Sequence, residues 1–199
     1  MPPTLSDGRR LILASTSPFR RQLLARLELP FETRAPEVDE QPRPGEDAAT
    51  LTARLAEAKA RAVAAREASA LVIGSDQVAV LGGGILGKPG AHDRAVAQLS
   101  KAAGKTVDFL TGLCLMDSLS GRIQRDVIPF RVVFRPLSTQ QIENYLRREK
   151  PYQCAGSFKS EGLGIALFER LEGADPTSLI GLPLIRLIQM LEAEGVTIL

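Results

Sequence analysis

The sequence predicts an α/β protein with a mixed sheet, and three observations lead to that prediction. Apolar segments typical of strands alternate with segments that carry apolar residues at helical spacing. The strand segments 106–116 and 123–134 are joined by a short turn, which favours an antiparallel pair, while the helices between other strands favour parallel pairing. The length of 199 residues suits one domain over 1–199, formed by two lobes around a cleft.

In the first half of the chain, cap and turn residues set the expected boundaries. A short apolar strand is followed by a polar turn in which Ser17 suits an N-cap and Pro18 the first helical position. Prolines make the segment after this helix an extended loop. The expected elements are a strand at 11–14, a helix from 18 to about 29, a loop at 35–45, a helix at 48–66, a buried strand at 71–81 and a short partner strand ending near 87.

In the second half, Ser138 and Gln141 form a capping box that begins a helix, and Pro151 ends it. Pro129 requires an edge position or a bulge in its strand, because proline has no amide hydrogen. The expected elements are a helix at 93–103, strands at 106–116 and 123–134, a helix after 138, a hairpin around 169–173 and a last helix at 183–194.

The composition excludes several classes of function. A formal net charge of +2 does not create the broad basic surface that binds nucleic acids or membranes non-specifically. No apolar run approaches the length needed to span a bilayer, and the N-terminus lacks the pattern of a signal peptide. The two cysteines, interpreted as buried apolar residues, and the single histidine cannot supply a structural zinc site. We therefore expect a soluble, cytoplasmic protein that binds neither nucleic acid nor membrane.

The glycine-rich segment 82–88 resembles two nucleotide-binding motifs but does not satisfy either. Its glycines match the spacing of a dinucleotide fingerprint, yet no helix begins where that fingerprint requires one. A P-loop requires a serine or threonine that holds magnesium at the position after the lysine, where this chain has Pro89. The nearby His92 is interpreted as a surface or capping residue.

The turn between the first strand and the first helix is a candidate phosphate-binding site. Hydroxyl groups of Ser15 and Ser17, free backbone amides and the guanidinium groups of Arg20 and Arg21 could converge on phosphate oxygens there. An ordinary capped helix with two solvated arginines is the alternative.

Carboxylates provide a candidate metal site and a candidate base. An acidic cluster, Glu37 to Glu40, could bind a hard cation such as Mg²⁺, although such clusters are often plain solvated surface. Asp76 interrupts a strand that is otherwise mostly apolar, and a buried carboxylate is costly unless it is paired or bound to metal. A functional role for Asp76 is the favoured interpretation.

Two lysines complete this set of charged residues. Lys59 flanks the apolar stripe of its helix, so its amine can reach into a cleft, and Lys88 is fixed between glycine and proline. Each one alone could be a solvated side chain. Together with the arginines and carboxylates, they match what metal-assisted hydrolysis of a phosphoanhydride needs.

At this point the chain resembles the Maf-type nucleoside triphosphate pyrophosphatases, over residues 11–194. The resemblance rests on six ordered motifs, LILASTSPFRR at 11–21, PEVDE at 36–40, IGSDQV at 73–78, GKP at 87–89, AGSFKSEG at 155–162 and GLP at 181–183. It implies an elongated mixed sheet with a central groove, cleavage between the α and β phosphates, and a divalent cation, Mg²⁺ or Mn²⁺. It also implies that Asp76 accepts a proton from the attacking water and that the groove is lined by Ser15, Arg20, Arg21, Glu37, Lys59 and Lys88. For the metal, we expect Glu37 and Asp76 as ligands.

The segment 157–162 and Gln77 resemble the branch of this family that acts on 7-methyl-GTP. That branch tends to carry tryptophan where this chain has Phe19, which bears on base selection and not on hydrolysis. We expect Phe19 to stack on the base and Glu161 to accept hydrogen bonds from guanine N–H groups. A core phenylalanine and a solvated glutamate are the alternatives.

Two other functions remain open at this stage. One is a house-cleaning pyrophosphatase of broader specificity. The other is a nucleotide-binding regulator of cell division or septum formation with little turnover. A homodimer is kept as an option for the assembly.

Overall fold

The computed structural model describes residues 4–199 as a seven-stranded sheet flanked by five helices. The strands are β1 Arg10–Ala14, β2 Glu32–Arg34, β3 Ala70–Leu81, β4 Gly84–Leu86, β5 Thr106–Asp117, β6 Ile123–Phe134 and β7 Phe168–Glu172. The helices are α1 Pro18–Ala25, α2 Ala48–Ala64, α3 His92–Ala102, α4 Thr139–Glu149 and α5 Leu184–Ala193. Short 3₁₀ turns occupy Ala155–Ser157, Leu163–Leu167 and Pro176–Ile180.

The sheet is mixed, as predicted. Its strand order is β2-β1-β3-β5-β6-β7, with β4 also paired to β3. Strand β1 is parallel to β2 and β3, whereas all other pairs are antiparallel, including the predicted β5–β6 pair. Pro129 pairs only with β5, because β7 joins β6 from Arg131 onward. The predicted edge position for this proline is therefore confirmed.

One edge of β3 is interrupted, and this interruption positions the site. Along that edge, Ala70–Ile73 pair with β1 and Ala79–Leu81 pair with β4. Within the described residues, no strand pairs with 74–78 on this side, although β5 covers the other edge throughout. We call this stretch, 74–78, the open segment of β3, because it has no strand partner on this edge among the described residues.

Three sequence expectations differ from the structure. Helix α1 ends at Ala25 and not near Leu29, and Glu28 takes a left-handed conformation with φ 54°. The predicted hairpin around 169–173 is wrong, because Phe168–Glu172 is a single strand that pairs with the distant β6. Strand β2 was not predicted, since its polar residues show no strand pattern and its pairing with β1 is what defines it. The other helices and strands agree with the prediction to within two residues.

Two separate hydrophobic clusters hold the two ends of the long strands. One gathers side chains of β1, α1, the first part of β3 and α5, such as Leu13, Leu23 and Leu187. The other joins α3 and α4 to the opposite ends of β5 and β6, with Leu99 and Phe134 at its centre. The open segment of β3 lies between the parts of that strand that enter these two clusters.

Helix α2 lies unusually close to the sheet because two glycines leave room for it. A Cβ atom on Gly74 would be 2.1 Å from the Ala56 carbonyl oxygen, and one on Gly112 would be 2.2 Å from that of Thr52. Both distances are far below van der Waals contact. This close packing brings the buried face of α2, which includes Lys59, directly against β3.

Three of the five helices in residues 4–199 begin with a side-chain cap. Ser17 and Asp47 accept hydrogen bonds from the backbones of α1 and α2, and Ser138 and Gln141 form the predicted capping box of α4. Across residues 4–199, none of the helices has the length and apolar character needed to cross a bilayer.

Candidate active site

An open cavity of about 710 Å³ lies at the uncovered edge of β3. This volume is within the usual range for sites that hold a nucleotide-sized ligand. Nine of the eleven residues named from the sequence line it, namely Ser15, Ser17, Phe19, Arg20, Lys59, Asp76, Gln77, Lys88 and Glu161. The other two, Arg21 and Glu37, lie outside its wall.

Asp76 and Lys59 form a buried ion pair at the centre of the cavity. The Lys59 ammonium is 2.7 Å from Asp76 Oδ1 and 2.6 Å from Glu40 Oε1. Asp76 is 9% exposed and Lys59 is 5% exposed, so both charges have left bulk water. Such charges are tolerated when each is paired, which explains the carboxylate within an apolar strand.

Glu40 is the member of the acidic cluster that reaches this pair. Burial alone would raise the pKa of Glu40, but its contact with Lys59 and the charges of Lys88 and Arg20 hold that pKa below its usual value. The loop that follows is tied to α2, because Arg54 contacts both carboxylate oxygens of Glu46 at 2.6 and 2.7 Å. Glu40 is therefore a charged carboxylate on an anchored loop.

Glu37, which we expected to line the groove and to bind the metal, does not line this cavity. Its side chain is 77% exposed and forms an ion pair of 3.1 Å with Arg66. Its carboxylate is outside the cavity that holds Asp76. A metal-binding role for Glu37 stays a prediction.

The β1–α1 turn brings polar groups to one wall of the cavity. Ser15 is buried, and its hydroxyl oxygen accepts a hydrogen bond from the Ser17 amide at 3.1 Å. Arg20 donates from Nε to the Gly181 carbonyl at 2.7 Å, which fixes the guanidinium beside the turn. Burial lowers the pKa of Arg20, and the Asp76 and Glu40 carboxylates act in the opposite direction. An arginine remains charged under such opposing influences.

Arg21 lies in a different place from Arg20. Successive residues of an α-helix project about 100° apart, so neighbours in sequence do not share a face. Arg21 is exposed and borders a second depression of about 410 Å³, which shares the turn residues Ser15 to Pro18 with the first cavity. Phosphate contact by Arg21 stays a prediction.

Gln77 is held by the 3₁₀ turn Pro176–Ile180. Its amide nitrogen donates to the carbonyl oxygens of Ser178 at 2.7 Å and Leu179 at 3.2 Å, and to the Thr111 hydroxyl at 3.0 Å. These three acceptors identify the nitrogen end of the amide. The oxygen is thus the group that Gln77 can offer to a ligand.

Aromatic rings and an exposed carboxylate form another part of the cavity wall. Phe19 is half-buried, whereas the rings of Phe109 and Phe158 are buried and pack edge to face against each other. Glu161 is exposed on the loop after the 3₁₀ turn Ala155–Ser157, where the Ser160 hydroxyl is 3.4 Å from its carboxylate. This combination of aromatic faces and a free carboxylate suits a cationic base.

The protein alone supplies too few carboxylates to fill the coordination shell of a divalent cation. Among the described residues 4–199, no three His, Cys, Asp or Glu side chains converge. Asp76 and Glu40 nevertheless converge on one point, now held by the Lys59 ammonium. Because Mg²⁺ commonly takes one or two protein carboxylates and completes its shell with phosphate oxygens and water, this donor set fits a metal that binds together with a polyphosphate.

Sequence reasoning missed the backbone carbonyls that orient these side chains. The Gly181 carbonyl accepts from Arg20 and also from the buried Ser75 hydroxyl at 2.9 Å. Every residue has a carbonyl group, so the residue type does not show which carbonyl will accept a hydrogen bond from a side chain. The only available signal was that Gly181 belongs to one of the quoted motifs. The arrangement can bind a polyphosphate by its cations and remove a proton from water by its carboxylate.

Comparisons with known proteins identify the family of this chain. A family model described as Maf-like protein matches residues 10–194. A Nitrosococcus oceani protein named 7-methyl-GTP pyrophosphatase is 60% identical over 198 residues, which is 100% of this chain and 96% of that protein. Proteins of the same name from Pseudomonas aeruginosa and Methylobacillus flagellatus are 58% and 56% identical, over 94% and 95% of this chain and 98% of each relative.

Proposed function

This chain belongs to the Maf family, and we propose that it hydrolyses 7-methyl-GTP between the α and β phosphates to 7-methyl-GMP and pyrophosphate. The relatives that carry the name 7-methyl-GTP pyrophosphatase are 56–60% identical over nearly the whole chain, which supports the same substrate here. The observation that carries the chemistry is the buried pair of Asp76 and Lys59 at the open edge of β3. Such a protein is a hydrolase that acts on acid anhydrides.

In this proposal, Asp76 accepts the proton of the attacking water. The water oxygen forms a bond to phosphorus, the bridging P–O bond of the α–β anhydride breaks, and the proton passes to the Asp76 carboxylate. Lys59 holds that carboxylate at 2.7 Å and keeps it oriented towards the cavity. Its positive charge also stabilises the negative charge that grows on the phosphate oxygens.

The phosphates are held by the β1–α1 turn and the basic side chains. Arg20 and Lys88 neutralise phosphate oxygens, and the hydroxyl groups of Ser15 and Ser17 with the nearby amides add hydrogen bonds. Because these groups bind the ground state as well as the transition state, they affect both KM and kcat.

A divalent cation, Mg²⁺ or Mn²⁺, completes the proposed site. Asp76 and Glu40 would hold it through the carboxylate oxygens that do not contact Lys59. Glu37 would reach it only after its ion pair with Arg66 opens. When bound, such an ion neutralises phosphate charge and orients the polyphosphate.

Base selection is assigned to Phe19, Glu161 and Gln77, and the part of the wall formed by Phe19 and Glu161 is called the base end. Phe19 offers a π face to the base, and a 7-methylguanine carries a positive charge that such a face attracts. The Glu161 carboxylate and the Gln77 amide oxygen are acceptors for guanine N–H groups.

We propose that the protein acts in the cytoplasm. Residues 1–199 form one domain in this proposal, and a homodimer is an option for the assembly. A house-cleaning pyrophosphatase of broader specificity would use the same phosphate-binding residues but without discrimination at Phe19 and Glu161. A regulator of cell division would bind nucleotide with little turnover.

A time course of pyrophosphate release tests the proposal. Purified protein is incubated with Mg²⁺ or Mn²⁺ and equal concentrations of 7-methyl-GTP, GTP, dTTP and UTP. We expect repeated turnover and the highest kcat/KM for 7-methyl-GTP. Similar values for all nucleotides would indicate broad specificity, and saturable binding without product would support the regulator.

A further inference from the structure

We propose that Gln98 on α3 is a positioning residue that couples the phosphate-binding loop to the base-reading loop. The phosphate-binding loop is 87–90, which carries Lys88, and the base-reading loop is 152–162, which carries Glu161. The inference rests on the proposed function, because it concerns how the same site matches a base to a triphosphate.

Gln98 connects the two loops through both ends of its amide. Its nitrogen donates to the Gly87 carbonyl at 3.0 Å, directly before Lys88. Its oxygen accepts a hydrogen bond from the Ser157 hydroxyl at 2.5 Å. A side chain that satisfies both halves of its amide in two different loops fixes their separation.

The Ser157 contact holds a backbone that needs support. Ser157 has φ 63° and Gly156 has φ 74°, so two successive residues are left-handed, and serine is rarely so. Gly156 also packs tightly, because a Cβ atom there would be 3.1 Å from Phe109 and 3.2 Å from Phe158. The hydrogen bond to Gln98 stabilises this shape from the outside.

A second tie lies next to the first. The Gly90 amide donates to the Tyr152 carbonyl at 2.9 Å, which joins the loops directly. His92 Nδ1 is 2.9 Å from the Tyr152 hydroxyl, and His92 Nε2 is 3.0 Å from Glu143 on α4. His92 is thus a structural link between α3, α4 and the base-reading loop.

Helix α3 is a rigid platform for these ties. Its Ala95, Leu99 and Ala102 are buried in the cluster that also contains α4 and β5. Neither loop can therefore shift alone without breaking a hydrogen bond to α3 or to the other loop. These ties limit how far the loops that carry Lys88 and Glu161 can move apart, so the site should favour nucleotides whose base and phosphates reach both loops at once.

The test is kinetic and uses substitutions at both ends of the link. Gln98→Met keeps the length of the side chain and removes both hydrogen bonds, whereas Ser157→Ala removes only the bond to the base-reading loop. We expect Gln98→Met to raise KM for 7-methyl-GTP by roughly 2- to 10-fold, the effect of one net hydrogen bond, with kcat nearly unchanged. The preference for 7-methyl-GTP over UTP should fall by a similar factor.

The double variant tests whether the two substitutions act through the same hydrogen bond. Because the Ser157 hydroxyl contacts Gln98, Gln98→Met with Ser157→Ala should lower the preference no further than Gln98→Met alone. Additive losses, an unchanged preference in Gln98→Met, or an equal loss with both nucleotides would overturn the inference. Gln98→Met decides the matter alone if Ser157→Ala does not fold.

Gln140→Met is the matched control. Gln140 is exposed on α4, and among the described residues its side chain forms a hydrogen bond with Asn144 alone, so this variant should behave as wild type. A wild-type protein that does not turn over 7-methyl-GTP would instead contradict the proposed function, so the two failures are distinguishable.

Discussion

The two ends of the cavity differ in how their side chains are held. At the phosphate end, Asp76 and Lys59 are buried and lie 2.7 Å apart, and Arg20 is fixed to a backbone carbonyl. At the base end, Glu161 is exposed, and Ser160 is its only hydrogen-bond partner among the described residues, at 3.4 Å. We expect the buried Asp76 and Lys59 to serve every triphosphate alike, and the exposed Glu161 to discriminate among bases. The predictions below test that division, beginning with the largest expected effect.

Removal of the proton acceptor, Asp76, should abolish the reaction with every nucleotide. In Asp76→Asn, the amide cannot accept a proton at neutral pH, and we expect kcat to fall by about 100-fold or more. The ratio between nucleotides should not change, because the base end is intact. Steady-state kinetics with 7-methyl-GTP and UTP, alongside a thermal unfolding curve to confirm folding, provide the check. Near-normal turnover would show that Asp76 is not the proton acceptor.

The two adjacent arginines provide a matched comparison at the phosphate end. Arg20→Ala should lower kcat/KM by roughly 10- to 100-fold for all nucleotides, as expected for a lost hydrogen bond to a charged group. Arg21→Ala should have a smaller effect, because Arg21 borders the second depression. The reverse order would mean that the phosphates lie on the other side of α1.

At the base end, substitutions should change selectivity more than rate. Glu161→Gln should reduce the preference for 7-methyl-GTP over GTP by roughly 2- to 10-fold, because a neutral amide attracts a cationic base less strongly than a carboxylate does. Phe19→Trp should keep or increase this preference, since tryptophan is the better π partner. The kcat/KM for UTP measures the effect on the phosphate end and should stay constant. A uniform loss with Glu161→Gln would favour a structural or metal-related role.

The smallest effect concerns the loop that carries Glu40. Hydrogen bonds from Arg54 lower the pKa of Glu46 to about 2, from an ordinary value of 4.5. Because the folded pKa is the lower one, this contact stabilises the protein above pH 4.5 and is lost as the pH falls from there towards 2. The difference in Tm between wild type and Glu46→Gln should therefore be small at pH 7 and shrink below pH 4.5. A difference that grows on acidification would contradict the assignment.

The sequence predicted the features that depend on local structure, and it did not predict those that depend on contacts between distant segments. Asp76 was found because a carboxylate in an apolar strand needs a partner, and the sheet core then fixes where that partner lies. The β1–α1 turn was predicted from its cap and proline. Local patterns were sufficient where local structure determines the position of the site.

Other features depend on contacts between distant segments. The loop 35–45 has no periodicity that could distinguish Glu37 from Glu40, and only the position of Lys59 makes Glu40 the near carboxylate. Strand β2 and strand β7 exist through their pairing with β1 and β6. The different directions of Arg20 and Arg21 were foreseeable from helix geometry, but which one faces the cavity was not.

Identification of the products tests the central proposal most directly. Wild-type protein with 7-methyl-GTP and Mg²⁺ is followed by ³¹P NMR from the start of the reaction. Cleavage between the α and β phosphates predicts signals of pyrophosphate and 7-methyl-GMP in equal amounts, without a nucleoside diphosphate. Accumulation of 7-methyl-GDP with orthophosphate would place the cut between the β and γ phosphates and contradict the account.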